Sequence, residues 1–230
     1  MKVLTKLLLI HWHYFTHETI EFDWLNFLTG KNATGKSTII DAMQVILLGD
    51  TSGSFFNKAA SGRGSRTLKG YLLGELGDDE DSGFNYLRGD RFTSYIAMEF
   101  LDETTEKNFT AGCCFDIYSE NDIPRLFFLY DGRMHPEGFL RGGTPLDITA
   151  LRVFLKDNYP GHFYTTDIGR DFRRNLYDRL GGAARQVRRS LKEGRVFQPE
   201  RGHTAIHFRF RVRRPANSGY RTYAGEYRKL

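Results

Sequence analysis

Two glycines, a lysine and two hydroxyl residues lie close together near the start of the chain, in a spacing that suits phosphate chemistry. They form the pattern G-x-x-x-x-G-K-S from Gly30 to Ser37, with Thr38 next. Gly30 and Gly35 permit backbone conformations that other residues avoid, so successive N–H groups can turn toward one anion. Lys36 can reach the β- and γ-phosphates of a nucleotide, and the Ser37 hydroxyl can ligate Mg²⁺. The spacing therefore predicts a nucleotide-binding phosphate loop.

The residues between the two glycines complete the predicted cofactor-binding set, which is Gly30, Lys31, Asn32, Ala33, Thr34, Gly35, Lys36, Ser37 and Thr38. Asn32 is predicted to reach the terminal phosphate or the attacking water, and Thr38 to support the α-phosphate. A helix that begins at the end of the loop would add its positive end to the same place.

The elements on either side of the loop are those that such a motif requires. An apolar stretch over residues 24–28 predicts a buried strand that enters the loop. A longer apolar stretch over residues 36–48 predicts a buried helix that leaves it, and Gly49 can end that helix. Strand, glycine loop and helix in this order favour nucleotide binding over the alternative, a merely glycine-rich turn.

The remaining chain predicts an α/β fold with an antiparallel subsheet. Early strands are predicted over residues 3–10 and 18–23, and a polar insertion without continuous regular structure over 50–90. Three later strands, separated by polar turns, read as an antiparallel meander rather than as the βαβα alternation of a small GTPase. They cover residues 95–101, 109–118 and 125–130, and are followed by helices over 147–159 and 171–180.

Several sequence blocks resemble a known group of ATPases. Residues 25–50, LNFLTGKNATGKSTIIDAMQVILLGD, look like the phosphate loop of MukB-like SMC proteins. Further blocks are similar to the JetC family of condensin-like ATPases in Wadjet plasmid-defence systems and to its MksB relatives; they lie at 54–60, 66–72, 74–78 and 92–96. The resemblance covers residues 1–182 and implies the N-terminal lobe of an ABC/SMC-type P-loop head that binds ATP and Mg²⁺.

The resemblance also implies partners and a role. Members act as cytoplasmic, nucleoid-associated dimers of two SMC-like heads, joined by kleisin-type and accessory subunits. They use ATP to extrude DNA loops, and a separate nuclease cuts plasmid DNA. No membrane is implied, and the longest aliphatic runs, residues 7–10 and 45–48, are far shorter than the roughly 20 residues of a membrane span.

The chain departs from this family in ways that leave its own hydrolytic activity open. Ala33 stands where the wider SMC pattern has glycine, and the sequence contains no LSGGQ-like signature. Asp102 and Glu103 follow an apolar stretch and imitate the acidic strand end of such sites, with Asp102 as metal-side acid and Glu103 as base. The alternative is an ordinary turn at a strand end. If the pair is catalytic, the chain is a self-contained small P-loop NTPase; otherwise it holds half a site.

Other candidates for binding lie outside the loop. Arg63, Arg66 and Lys69 form a basic cluster that predicts either phosphate or DNA contact or a solvated loop. Trp12 or Tyr14, after the first strand, is a candidate for stacking on adenine, with ordinary packing as the alternative.

The basic charge of the chain is concentrated in its last 48 residues. Residues 183–230 hold 13 Lys/Arg against three acidic residues, whereas residues 1–182 hold 20 basic and 25 acidic residues. Three interpretations stay open: a basic arm on DNA phosphates, which would make the chain a DNA-binding module; a local strand over 206–212; or a truncated or out-of-frame continuation after about residue 183. We therefore divide the chain into a head lobe, 1–182, and a basic tail, 183–230.

Overall fold

The computed structural model describes residues 2–23, 26, 28, 34–56, 66–79, 83–89 and 91–181. The helices of these residues are α1 (Lys36–Leu48), α2 (Leu68–Leu73), α3 (Ile148–Asn158) and α4 (Gly169–Arg179), with a short 3₁₀ helix at Pro136–Phe139. The strands are β1 (Lys2–Trp12), β2 (Phe15–Glu21), β3 (Glu75–Asp79), β4 (Gly83–Tyr86), β5 (Phe92–Asp102), β6 (Lys107–Ile117), β7 (Arg125–Asp131), β8 (Leu140–Arg141), β9 (Thr144–Pro145) and β10 (Phe163–Thr166).

The largest sheet in the described part of the chain has six strands in the order β10–β7–β6–β5–β1–β2. Every neighbouring pair in it is antiparallel, and β5, β6 and β7 form the predicted meander. The mixture of helices with this antiparallel sheet confirms the α/β class. Strand β1 lies between β2 and β5, so the start of the chain occupies an interior position in the sheet.

Both faces of the sheet are covered by helices, which explains the continuous apolar run in β1. Leu7 and Leu9 point into a core shared with α1, α2 and α4, whereas Leu8 and Ile10 point into a second core shared with α3. Alternate side chains of a strand face opposite sides of the sheet. A strand buried on both sides therefore needs apolar residues at consecutive positions.

Helix α1 has the predicted bounds and is buried along most of its length. Gly49 ends it in the left-handed conformation, with φ 53°. The Gly49 N–H donates to the Ile46 carbonyl, and the Asp50 N–H donates to the Val45 carbonyl, each at 3.2 Å. The start of α4 packs against this end. The Arg173 guanidinium donates to the Leu48 carbonyl at 2.9 Å, and Gly169 lies against the backbone of Gly49.

The helices predicted over 147–159 and 171–180 are confirmed as α3 and α4. The predicted polar insertion contains two regular elements that the sequence did not reveal, α2 and the β3–β4 hairpin. Of the strand predicted over 24–28, the two described residues, Asn26 and Leu28, are not in a strand. Asn26 instead exchanges two hydrogen bonds with the Asp23 backbone.

No helix among the described residues is both long enough and apolar enough to cross a bilayer. The basic tail, 183–230, with its candidate strand, lies outside the described residues.

Candidate functional site

The described part of the phosphate loop is its junction with α1. Gly35 is the N-cap of the helix at φ 88° and ψ 3°, a left-handed conformation in which glycine is favoured. Lys36 and Ser37 follow in the first turn and are half-buried, and the Lys36 ammonium lies 3.4 Å from the Thr34 hydroxyl. The first four residues of the predicted binding set, Gly30, Lys31, Asn32 and Ala33, lie outside the described residues.

The turn between β1 and β2 packs directly on this junction. A Cβ placed on Gly35 would lie 3.2 Å from Phe15 Cζ and 3.3 Å from Tyr14 Cε2. Tyr14 is 44% exposed, so part of its surface is accessible to solvent beside the loop. Of the two aromatic candidates for adenine, the structure therefore leaves Tyr14 accessible.

Trp12 is fully buried and anchors the first turn of α1. Its indole Nε1 donates to the Thr38 carbonyl at 3.0 Å. Its ring stacks on Tyr71, with centroids 4.8 Å apart and planes at 20°. These contacts favour the packing alternative for Trp12.

Helix α1 also contains a buried carboxylate, which the local sequence pattern does not mark as functional. Asp41 has no exposed surface and accepts a hydrogen bond from the Tyr71 hydroxyl. Arg66 Nη1 lies 3.4 Å from the same Asp41 oxygen and 3.2 Å from the Tyr71 hydroxyl. Burial, followed by the neighbouring Asp41 charge, raises the pKa of Tyr71, so the phenol stays protonated and donates. Arg66 is thus an ion-pair partner of α1.

Lys69, the other described member of the predicted basic cluster, does not join Arg66 in a free patch. Lys69 forms an ion pair with Glu120 and lies 5.7 Å from the centre of the Tyr86 ring. The hydrogen bond to Glu120 is the main cause that raises the pKa of Lys69. Arg63 lies outside the described residues.

The acidic pair lies at the opposite end of the sheet from the loop. Asp102 pairs in register with Lys2, whereas the loop junction lies near Trp12, ten residues further along the same strand. At the rise of a β-strand the two ends are roughly 30 Å apart. The structure therefore does not bring Asp102 and Glu103 to the loop.

Local contacts of Asp102 are those of a turn at the end of a strand. Its carboxylate pairs with Lys2 and accepts hydrogen bonds from the Thr104 N–H at 3.1 Å and the Thr105 hydroxyl at 3.0 Å. The bond from Lys2 is the main cause that lowers the pKa of Asp102 to about 2. Glu103 is exposed in the turn.

Two histidines flank Trp12 near the site. His11 and His13 both have positive φ, 51° and 50°. Burial is the main cause that lowers the pKa of each ring, so both are neutral at physiological pH. Among the described residues, no group of three or more His, Cys, Asp or Glu side chains is arranged to hold a metal ion.

A nucleotide with Mg²⁺ fits the described junction. A glycine cap brings no side chain of its own to the helix N-terminus, and the first turn of α1 contains no acidic residue that would repel phosphate. Lys36 and Ser37 are the residues there that would hold a phosphate and Mg²⁺.

Comparison with known proteins agrees with this geometry. Residues 4–63 match a protein-family model described as the P-loop containing region of AAA domain. None of the curated proteins matches the chain. The matched region contains most of β1, the turn at Tyr14, β2, the loop and α1. The chain therefore carries a P-loop region of the ATPase type within an α/β fold.

Proposed function

We propose that the chain binds ATP with Mg²⁺ at residues 30–38 and forms the ATP-binding half of an SMC-like DNA-motor head. The observation that carries the proposal is Gly35 at φ 88°, which caps α1 directly before Lys36 and Ser37. The match of residues 4–63 to a P-loop region supports nucleotide binding. The SMC-like part rests on the resemblance of the sequence blocks and on the antiparallel meander that follows α1.

In this proposal Lys36, Ser37 and Tyr14 bind different parts of the nucleotide complex. The N-terminus of α1 and the Lys36 ammonium attract the phosphates, and the Ser37 hydroxyl ligates Mg²⁺. Tyr14 offers its exposed ring to adenine beside Gly35. Bound ATP with Mg²⁺ supplies the phosphoanhydride bond that drives a motor. Because Asp102 and Glu103 lie far from the loop, a second head and further sequence would have to complete the hydrolytic site.

Calorimetric titration with ATP and Mg²⁺ tests nucleotide binding. We expect Lys36→Ala to weaken binding by about tenfold to a hundredfold, since hydrogen bonds to charged groups contribute about 1.5–3 kcal/mol. Lys107→Ala is the matched control, because Lys107 is exposed and lies at the far end of the sheet, where it is the neighbour of Asp102 across strands β5 and β6. Equal affinity in the wild type and Lys36→Ala contradicts the assignment of the loop.

Turnover distinguishes half a site from a self-contained NTPase. We expect negligible ATP hydrolysis by the chain alone, measured as phosphate release. Appreciable turnover that Glu103→Gln abolishes would overturn the half-site proposal and favour the self-contained enzyme.

The partners proposed with this function are a second head, kleisin-type and accessory subunits, and DNA, in the bacterial cytoplasm at the nucleoid. Light scattering with and without ATP tests for pairing of two heads. A basic DNA-binding module instead predicts salt-sensitive DNA binding that survives Lys36→Ala.

A further inference from the structure

The segment of residues 66–74, which we call the α2 segment, is tied to the loop side of the molecule from two directions. Thr67 caps α2 by accepting a hydrogen bond from the Gly70 N–H at 2.9 Å. The Tyr71 carbonyl accepts from the His13 N–H at 2.7 Å, which joins the segment to the turn after β1. The Tyr71 side chain makes the second connection, toward α1.

Tyr71 is connected to the first turns of α1 directly through its hydroxyl and indirectly through its ring. Its hydroxyl donates to Asp41, five residues after Lys36. Its ring stacks on Trp12, whose indole holds the Thr38 carbonyl two residues after Lys36. The same side chain therefore bears on two points of the helix that carries the phosphate-binding residues.

The Asp41 carboxylate makes this connection sensitive to its partners. It has no exposed surface, and a buried charge that loses a partner is strongly disfavoured. Two of its partners come from the α2 segment: the Tyr71 hydroxyl, and Arg66, whose side chain is one-third exposed. A displacement of the α2 segment would therefore also disturb α1 close to Lys36.

We propose that Tyr71 is a positioning residue for the nucleotide, and that docking of the α2 segment on Asp41 and Trp12 is energetically coupled to occupancy of the loop. The proposal rests on the nucleotide binding proposed above. Coupling of this kind is reciprocal: a docked α2 segment favours nucleotide, and nucleotide favours the docked segment. A change in the docking of the α2 segment would thereby change the affinity of the loop for the nucleotide.

The first test compares two tyrosines that each lose only a hydroxyl. Tyr71→Phe keeps the ring on Trp12 but removes the donor to Asp41. Tyr95→Phe is the matched control, because Tyr95 is also buried and donates to the Leu146 carbonyl in the core on the α3 side of the sheet. We expect both variants to lower the melting temperature, but only Tyr71→Phe to weaken ATP binding, by about tenfold. A purely structural role predicts equal affinities.

A double variant identifies the path of the effect. If Tyr71 acts through Asp41, Tyr71→Phe will have no further effect on ATP affinity in an Asp41→Asn background. An undiminished tenfold effect in that background contradicts the path through Asp41.

The second test leaves Tyr71 and Asp41 unchanged. It therefore does not depend on whether variants at these two residues fold. The chain has two tryptophans, so Trp24→Phe leaves Trp12 as the only one. We expect ATP with Mg²⁺ to change Trp12 fluorescence, and Lys36→Ala to shift the change to ATP concentrations about tenfold to a hundredfold higher. No change at saturation, established by calorimetry, overturns the coupling.

The results separate this proposal from the proposed function. If the wild type binds ATP and Lys36→Ala binds it more weakly, equal affinities of Tyr71→Phe and the wild type overturn the coupling alone. If the wild type and Lys36→Ala are alike in failing to bind, nucleotide binding is refuted and the coupling falls with it.

Discussion

A single methyl group at Gly169 should destabilise the protein through the helix that carries the phosphate loop. A Cβ built on this residue lies 2.0 Å from the Gly49 carbonyl oxygen, whereas ordinary contact begins at 3.4 Å. Gly169→Ala must therefore move the two backbones apart by about 1.4 Å. The strain falls where the end of α1 meets the start of α4.

The expected loss follows from what can yield at this contact. Overpacking a well-packed site destabilises by about 1–3 kcal/mol. The obstructing atom belongs to backbone and Arg173 secures the same helix end by its bond to the Leu48 carbonyl, so we expect the upper part of that range. Against this loss, the higher helix propensity of alanine stabilises a helix by up to about 1 kcal/mol relative to glycine. The free energy of unfolding should then fall by about 2 kcal/mol.

Urea denaturation measures this loss as a lower midpoint with an unchanged slope. For a chain of this size the melting temperature should fall by about 4–8 °C. Gly89→Ala is the control, because a Cβ there meets nothing within 4 Å and no positive φ opposes it. If Gly169→Ala and Gly89→Ala are both within about 0.5 kcal/mol of the wild type, the reasoning from the backbone contact is refuted.

Two further predictions concern pH. The pKa of Asp102 is lowered to about 2 from 3.8, so its pairing stabilises the fold above the higher value and is lost as pH falls toward the lower one. Asp102→Asn should be less stable than the wild type at pH 7, and urea midpoints of the two should converge near pH 2; a constant difference would contradict the ion pair. Burial lowers the pKa of His13 below 6.5, so protonation favours unfolding, and this loss of stability should grow as pH falls below about 6.5. His13→Gln should reduce the difference between melting temperatures at pH 7.5 and 5.5, and an unchanged difference would exclude His13 as a contributor.

Elements with strong local signals could be predicted from the sequence. Helix α1 is apolar almost throughout and has Gly49 at its end. Helix α3 is capped by Asp147, whose carboxylate accepts from the Ala150 N–H at 2.7 Å. Strands β5, β6 and β7 are separated by polar turns, which is why the meander was evident.

Helix α2 could not be predicted because its stability comes from contacts outside it. Its sequence, LKGYLL, is six residues long and contains a glycine, so it carries no helical period. The Thr67 cap and burial of Tyr71, Leu72 and Leu73 stabilise it in place. Gly70 also has a packing reason, since a Cβ there would lie 2.5 Å from the Glu75 carboxylate.

The candidate site also contains residues that a local pattern predicts and residues that depend on partners far away in the sequence. Lys36 and Ser37 were evident because the loop pattern is local. Asp41 appeared only as an isolated polar residue in an apolar helix, and its partners Arg66 and Tyr71 lie 25 and 30 residues away. Sequence spacing does not report such pairs. For the same reason the sequence reveals the positive charges of Arg66 and Lys69 but does not predict the carboxylates that form ion pairs with them.

The interior position of β1 has a consequence for synthesis of the chain. This strand, with its doubly buried aliphatic run, emerges from the ribosome about 90 residues before β5, with which it pairs. At the usual elongation rates of about 5–20 residues per second, the delay is roughly 5–20 seconds. Only the β2 side can be paired in that interval, so the other edge of β1 stays open to wrong pairing until β5 has emerged from the ribosome.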